Sequence, residues 1–430
     1  MEALYLGVGR TIITPDVGGH LYGYDPTTRS TCVNDDLTAT AFWFKQGTTE
    51  VLMISVTACY MATVLSDRLL NIISETYNIN KQHIQIACTH THSGPNLAKD
   101  VGWGDIDTPY VENRLIPQLM AAVKEAKDST VPVTMAVAQG ESRVAVNRRE
   151  LTAENYIAFG QNPWGPFDPT MTLLSFKDES GTVIANMVHY GCHGTCAGHN
   201  TEITRDWSGV MIDALEKHLG GTTAFFCGPE GDVGPRLSNG KTVGDLQLMK
   251  EHGEIAASDI VRISKKLGEY TTVPLRVANE PISIPFKARI SRDEAQAALE
   301  LYDENSVNWQ ALVRNHALRV VEAWENNDAP LTALSFDQSL IGLGNIVFAA
   351  SPFELFSEIG LRIKRAFTET QVLSLVCTNG GEGYFVTEDA LVRGGYEVRV
   401  FLHRHIQAFC QDADFAYIRA TIDNVKKLGV

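Results

Sequence analysis

A His-x-His pair at the end of an apolar run is the first feature of the sequence able to carry chemistry. His90 and His92 follow the run Ile84–Thr89 and precede a Gly-Pro turn. Alternate residues of a strand point to the same face, so this spacing predicts that both imidazoles lie on one side. Imidazole is the commonest metal ligand, and a second ring beside it can transfer protons. Two hydrogen-bonded histidines that cap a turn fit the same motif equally well.

A second histidine segment, Val188–Cys196, also follows a strand-like run. His189 and His193 are both candidate ligands there, and Cys192 and Cys196 are softer alternatives. The Cys-x-x-x-Cys spacing is looser than that of a zinc knuckle, and no second cysteine pair follows. We therefore predict that the cysteines pack in the core and that His193 is the ligand.

Three further segments carry groups that such a site would use. The Gly-rich loop Gly228–Arg236 has backbone N–H groups suited to an anion or a developing oxyanion, but it lacks the Lys-Ser/Thr of a phosphate loop. Glu354 lies where a predicted strand meets a predicted helix, and we expect it in or near the first helical turn. Tyr384 lies in a second glycine cluster, where a tyrosine is usually a loop anchor.

Short β-branched runs alternate with longer helical patterns between these segments. The predicted strands are Thr38–Phe44, Val51–Val56, Ile84–Thr89, Thr134–Ala138, Met171–Phe176, Val183–His189, Thr223–Cys227, Ile346–Ala350 and Val372–Cys377. The predicted helices are Val64–Tyr77, Tyr110–Ala126, Gly209–His218, Leu246–Lys266, Arg292–Asp303, Trp309–Trp324 and Glu354–Ala366. This alternation predicts an α/β fold: one large domain over residues 1–430 with a mixed β-sheet and flanking helices. Gly7-Val-Gly9 is interpreted as a bare turn, and His403-Arg-His405 as structural.

Composition narrows the classes of partner. The 430 residues include 36 basic and 51 acidic side chains, a net charge of −15, and 44% are apolar. This is globular composition, and the acidic balance argues against nucleic-acid binding, so small molecules are the expected partners. No window reaches the roughly 18 apolar residues of a membrane span, and no signal-peptide pattern is present. With eight cysteines interpreted as reduced thiols, we expect a cytoplasmic protein without stable membrane insertion, and a homo-oligomer stays open.

Taken together, four residues resemble the zinc-binding set of the neutral/alkaline (non-lysosomal) ceramidases, in the N-terminal catalytic domain of that family: His90, His193, Glu354 and Tyr384. Sequences of this family carry a Thr-His-Thr-His-Ser stretch, here Thr89–Ser93, and a zinc histidine in a His-Gly/Ser-Thr triplet, here beginning at His193. The resemblance extends from Gly7 to Tyr396, nearly the whole chain.

The later motifs of the family are also matched. Its Pro-Gly-Glu-Phe motif supplies a zinc glutamate, and Ser351–Leu355 is similar to it. Its Tyr-Val/Ile-Thr-Thr segment supplies a zinc tyrosine, matched by Tyr384–Thr387, and a second active-site tyrosine follows twelve residues on, matched by Tyr396. One position departs: where the family's Gly-Asp-Val-Ser-Pro-Asn loop holds a catalytic serine, this chain has Gly234.

The resemblance implies a zinc-dependent hydrolase that cleaves an amide or ester bond. Zinc lowers the pKa of a bound water to about 7, so hydroxide attacks the carbonyl and no serine nucleophile is needed. His92 would orient the substrate and protonate the intermediate, and Tyr396 with the loop amides around Gly234 would contact the oxyanion. Arg148, in a stretch similar to the family's Asn-Arg-Ser, would bind the polar end of the substrate. A solvated strand end is the equal alternative for Arg148.

A soluble substrate is expected rather than ceramide. The chain is strongly acidic and ends soon after Tyr396, without the family's C-terminal immunoglobulin-like domain. The alternatives are a true N-acylsphingosine amidohydrolase, a zinc enzyme for acylated amino sugars or short peptides, and a catalytically inactive zinc-containing binding protein. A long apolar trench above the metal would favour lipid amides, whereas a small polar pocket would favour sugars or peptides.

Overall fold

The elements follow one another along the chain with short connections, and the computed structural model describes residues 2–100, 103–306 and 308–429. The strands are β1 (Leu4–Ile12), β2 (Leu21–Tyr22), β3 (Cys32–Val33), β4 (Thr38–Gln46), β5 (Thr49–Val56), β6 (Ile84–Cys88), β7 (Gly94–Pro95), β8 (Val131–Glu141), β9 (Ala145–Leu151), β10 (Ile157–Asn162), β11 (Thr170–Asp178), β12 (Val183–Tyr190), β13 (Glu202–Ile203), β14 (Thr222–Cys227), β15 (Val233–Pro235), β16 (Leu275–Pro285), β17 (Ala333–Leu343), β18 (Ile346–Ala350), β19 (Glu354–Leu355), β20 (Gln371–Leu375) and β21 (Tyr384–Phe385). The helices are α1 (Thr63–Tyr77), α2 (Thr108–Tyr110), α3 (Ile116–Asp128), α4 (Asp206–Leu219), α5 (Leu246–Ser264), α6 (Arg292–Leu301), α7 (Asn308–Glu325), α8 (Ser357–Arg365), α9 (Glu388–Arg393), α10 (Tyr396–His403) and α11 (Ala413–Lys427). A π-helical segment, Val111–Leu115, joins α2 to α3.

Two sheets form the frame. The larger has the strand order β14-β12-β11-β8-β1-β4-β5-β6, and the smaller has the order β16-β17-β18-β20. Neighbouring strands are antiparallel except for β12/β14, β5/β6 and β18/β20, which are parallel. Both sheets are therefore mixed, and the predicted α/β fold with flanking helices is confirmed.

The two faces of the larger sheet serve two separate cores. In β4, Trp43 belongs to the core that contains the helices, whereas Phe42 and Phe44 belong to a core shared with the smaller sheet. Successive side chains of a strand point to opposite faces, so one apolar run supplies both cores. The smaller sheet contributes Ile341 and Phe348 to the shared core, and its other side is covered by α8 and α11. The layers are helix, sheet, sheet and helix.

Every predicted strand and helix overlaps an observed one, but two local predictions are wrong. Gly7 and Gly9 are not a bare turn; they lie within β1, where a Cβ atom would meet the backbone of α3 at 1.8 Å and 2.2 Å. They are glycines because the helix packs directly on the strand. Glu354 is not in a first helical turn, since α8 begins at Ser357 and Glu354 pairs in β19.

Candidate metal centre

His90 is held in an unusual backbone conformation just beyond the end of β6. Its φ is 68°, in the left-handed region that costs a non-glycine residue about 1–2 kcal/mol. Its backbone N–H donates to Ala58 at 2.8 Å, and its ring Nδ1 donates to the Cys59 carbonyl at 2.9 Å. Because Nδ1 carries the proton, Nε2 is left with a free lone pair. A ring fixed in this way, with Nε2 unprotonated, is suited to bind a metal ion.

His193 is fixed in the same way in the loop after β12. Its Nδ1 donates to the carbonyls of Glu230 and Val233, at 2.9 Å and 3.0 Å, which leaves Nε2 free. Gly194 allows this loop to approach His90, because a Cβ at position 194 would lie 2.6 Å from the His90 carbonyl oxygen. The two ligand loops are therefore in direct backbone contact.

Glu354 and Tyr384 reach the same point from the C-terminal part of the chain. β19 and β21 pair in parallel with these two residues opposite each other. Glu354 Oε2 lies 3.4 Å from His90 Nε2 and 3.5 Å from His193 Nε2. The Tyr384 ring is stacked beside that of His193, with centroids 6.4 Å apart. A short two-stranded pairing thus delivers both oxygen donors.

The donor set fits a zinc ion. Metal–ligand bonds of about 2.0–2.2 Å in a tetrahedral site place donor atoms about 3.4 Å apart, close to the two observed separations. Among the described residues, His193 Nε2 and Glu354 Oε2 are buried without a hydrogen-bond partner. Burial lowers the pKa of His90 to about 3 and that of His193 well below its ordinary value, so both rings are neutral ligands. Burial also raises the pKa of Glu354, because a negative charge on this buried carboxylate is unfavourable. A bound cation would balance that charge.

His92 lies at the same centre, although the strand argument for it does not apply. β6 ends at Cys88, so the two rings converge from a loop, with His92 Nε2 3.4 Å from His90 Nε2. Its Nδ1 is buried without a partner among the described residues. Gly23 makes room for this ring, since a Cβ there would lie 2.4 Å from His92 Nδ1.

Arg148 is buried in β9 and is not a solvated strand end. Its Nε donates to Glu397 at 3.0 Å, and its Nη2 donates to the Gly231 carbonyl at 2.9 Å. The guanidinium carbon lies 5.4 Å from the centre of the Tyr384 ring. Arg148 therefore supports Tyr384 from behind, and it is not among the residues that line the cavity at the site.

Tyr396 is among the residues that line the cavity at the site, whereas Gly234 is not. Gly234 is in β15, opposite Val146 of β9, and the alternation of this antiparallel ladder directs its N–H at that strand. The oxyanion contact from Gly234 stays a prediction. In this conformation the Gly234 N–H points at β9 and is not available to an oxyanion. Tyr396 begins α10, is 49% exposed, and lies with its ring centroid 5.7 Å from that of Tyr384.

A cavity of about 360 Å³ opens above the donor set, with His92 and Tyr396 in its wall. Its other wall carries charged groups that the sequence patterns did not single out. Asp100 accepts hydrogen bonds from Tyr22, Tyr60 and Arg404 there. The motif His403-Arg-His405, which we interpreted as structural, lines this wall. It is the sequence pattern from which the charged wall could have been predicted. The sequence patterns also missed Glu230, a buried carboxyl group close to His90 and His193.

The chain is similar to known proteins in sequence and in structure. Residues 4–257, more than half of the chain, match the sequence family described as neutral/alkaline non-lysosomal ceramidase, N-terminal. This stretch contains His90, His92, Arg148, His193 and Gly234, whereas the other predicted site residues follow it. No curated protein matches the chain in sequence.

Two solved structures share the fold. One is the neutral ceramidase from Pseudomonas aeruginosa, 17% identical, with a TM-score of 0.74 over 100% of this chain and 76% of that chain. The other is described as ceramidase complexed with C2, 16% identical, with a TM-score of 0.73 and the same coverage. Separately, none of the helices in the described part of this chain is both long and apolar enough to cross a membrane.

Proposed function

The chain belongs to the neutral/alkaline non-lysosomal ceramidase family, and from that premise we propose that it is a zinc-dependent hydrolase of an amide or ester bond in a small, polar, soluble substrate. Its metal ligands are His90, His193, Glu354 and Tyr384. The observation that carries the proposal is the convergence of unpartnered, buried donor atoms, with Glu354 Oε2 within 3.5 Å of both imidazole Nε2 atoms.

Zinc in such a site activates water and polarises a carbonyl oxygen. The chain's own residues position the substrate and move protons. His92, whose ring lines the cavity, orients the substrate carbonyl, takes up the proton that the attacking water releases and passes it to the leaving group. Tyr396 offers its hydroxyl to the developing oxyanion. Arg148, fixed by Glu397, holds Tyr384 in place and supplies the positive charge that favours a phenolate.

The cavity supports a polar substrate rather than a two-chain lipid. Its volume of about 360 Å³ is near the lower end of the range of about 300–1,000 Å³ found for sites that hold drug-sized ligands. Asp100 and Arg404 form an ion pair in its wall, and acyl chains would displace water from this pair without hydrogen-bonding to it. Acylated amino sugars and short acyl peptides satisfy such a wall with their own hydroxyl and amide groups.

The test is a side-by-side measurement of kcat/KM on detergent-solubilised long-chain ceramide and on a panel of short acyl amides, acyl amino sugars and esters. We expect measurable turnover of soluble compounds and little of ceramide. His92→Gln should lower kcat on the best substrate by about 100-fold or more, the usual contribution of an acid–base group. His189→Gln is the matched control, because that buried ring donates to a carbonyl of the smaller sheet at 3.0 Å, away from the donor set.

Two results would contradict the proposal. A kcat/KM for ceramide ten times that of the best soluble compound, about 1.4 kcal/mol of transition-state preference, would identify an N-acylsphingosine amidohydrolase. Zinc-loaded protein without turnover of any compound in the panel would identify an inactive binding protein.

A further inference from the structure

Glu230 lies at the innermost point of the loop between β14 and β15. Its carbonyl accepts the Nδ1–H of His193 at 2.9 Å, and the next residue, Gly231, donates its N–H to Leu355 of β19 at 2.9 Å. The loop is therefore anchored on one side to a histidine of the donor set and on the other side to the strand that carries Glu354. The residue itself is 0% exposed.

The side chain of Glu230 has no partner of its own. Both carboxylate oxygens are buried without a hydrogen bond, and no lysine or arginine among the described residues lies within 4.0 Å. The nearest basic group is His90, whose Nδ1 lies 3.8 Å from Oε1 and already donates to a backbone carbonyl. A buried, unpaired carboxylate costs several kcal/mol, a cost that either protonation or a bound cation removes.

We propose that Glu230 is a further ligand of the metal centre, a second carboxylate beside Glu354. The proposal rests on the metal site of the proposed function. One donor atom from each of Glu230, His90 and His193 lies within 4.8 Å of the others. Two ligands of one ion with bonds of about 2.0–2.2 Å can be up to about 4.4 Å apart, so coordination requires the Glu230 side chain to rotate from the Nδ1 edge of His90 towards the Nε2 atom that faces Glu354.

A second carboxylate changes the character of the site. Oxygen donors from Glu354, Tyr384 and Glu230 would outnumber the nitrogen donors from two histidines. Sites with nitrogen and oxygen donors bind the divalent first-row metals in general, Co²⁺ among them. Co²⁺ is therefore a suitable spectroscopic substitute, because its visible absorption reports the number and type of its ligands.

The experiment compares Co²⁺-loaded wild-type full-length protein with Co²⁺-loaded Glu230→Gln, by visible absorption and by competition with a chelator. We expect an altered absorption spectrum and binding weakened by at least about 10-fold in Glu230→Gln. Asp232→Asn is the matched control from the same loop. The Asp232 carboxylate is also buried, but it accepts the backbone N–H of Ser357 at 2.7 Å, so its spectrum should equal that of wild type.

The outcomes separate this inference from the proposed function. An unchanged Co²⁺ spectrum in folded Glu230→Gln would overturn the inference, because Glu230 would then act only behind His90, whatever the affinity. Where Glu230→Gln does not fold, Glu230→Asp keeps the charge at shorter reach, and an unchanged spectrum there would likewise overturn it. Wild-type protein that binds neither Zn²⁺ nor Co²⁺ would refute both proposals, whereas active, metal-loaded wild type with an unaltered variant spectrum would refute this one alone.

Discussion

Restoring a serine at position 234 should destabilise the protein. A Cβ atom at Gly234 would lie 2.7 Å from Cβ and 3.0 Å from Cγ2 of Thr242. Thr242 is only 4% exposed, and its carbonyl accepts the hydroxyl of Thr195 at 2.8 Å, so it has little room to retreat. Glycine at position 234 is therefore matched to the threonine that faces it.

The magnitude follows from the crowding. Inserting atoms into a well-packed core typically costs 1–3 kcal/mol, and we expect Gly234→Ser to fall in that range, at about 2 kcal/mol. Thr242→Gly removes both atoms of the clash. In the double variant the serine should then cost about 1 kcal/mol or less, so the two substitutions should show a coupling of about 1–2 kcal/mol.

The assay is urea unfolding of the metal-free wild type, the two single variants and the double variant, followed by tryptophan fluorescence. Gly268→Ser is the control, because no atom lies within 4 Å of a Cβ built there, and its effect should stay within about 0.5 kcal/mol. Gly234→Ser as stable as wild type, or a coupling of zero, would refute the packing argument. It would also open the possibility of regenerating a serine nucleophile by one substitution.

Three further predictions follow from the site and its supports. His193→Ala should lose most of the bound zinc while His189→Ala retains it, as measured by elemental analysis; both should stay folded, because a core of this size does not depend on one ion. Serine-directed phosphonates should leave activity intact, and labelling of Ser93 or Ser208 with inactivation would reveal a relocated nucleophile. Burial raises the pKa of Asp206 to about 6, although its carboxylate accepts N–H groups from the loop after His193. The folded state therefore binds this proton more tightly than the unfolded state does, so stability relative to Asp206→Asn should fall as the pH rises from about 4 to about 6 and should level off above it. The measurement is urea unfolding of metal-free protein at a series of pH values. If the unfolding free energy of wild type relative to Asp206→Asn rose between about pH 4 and about pH 6, the raised pKa of Asp206 would be contradicted.

Local patterns were enough to predict most of the elements and the two histidines. His90 and His193 each follow an apolar strand whose length and β-branched content are visible in the sequence, and the strands overlap the predicted runs. Strand alternation does not explain the convergence of His90 and His92, because the chain leaves the strand at Cys88 and turns through a left-handed residue, His90. A backbone turn of that kind depends on tertiary contacts that periodicity does not report.

Other parts of the site depend on contacts between distant segments. Glu354 is in a two-residue strand that exists only because Tyr384 pairs with it, so a local pattern favoured a helix instead. Glu230 contacts His90 and His193, which lie in two separate loops, and Gly234 is explained by Thr242, eight residues away across a turn. Such pairings are set by packing, and one sequence alone does not reveal them.

The division of the donor set along the chain has a consequence for how the protein is made. Tyr384 leaves the ribosome about 190 residues after His193, which at about 5–20 residues per second is a delay of roughly 10–40 s. During that interval the nascent chain presents two imidazoles without the oxygen donors that complete the set. If the chain binds the proposed ion, metal capture would be a late event of biosynthesis, and the ion would join the last part of the chain to the larger sheet, all of whose strands precede Glu354.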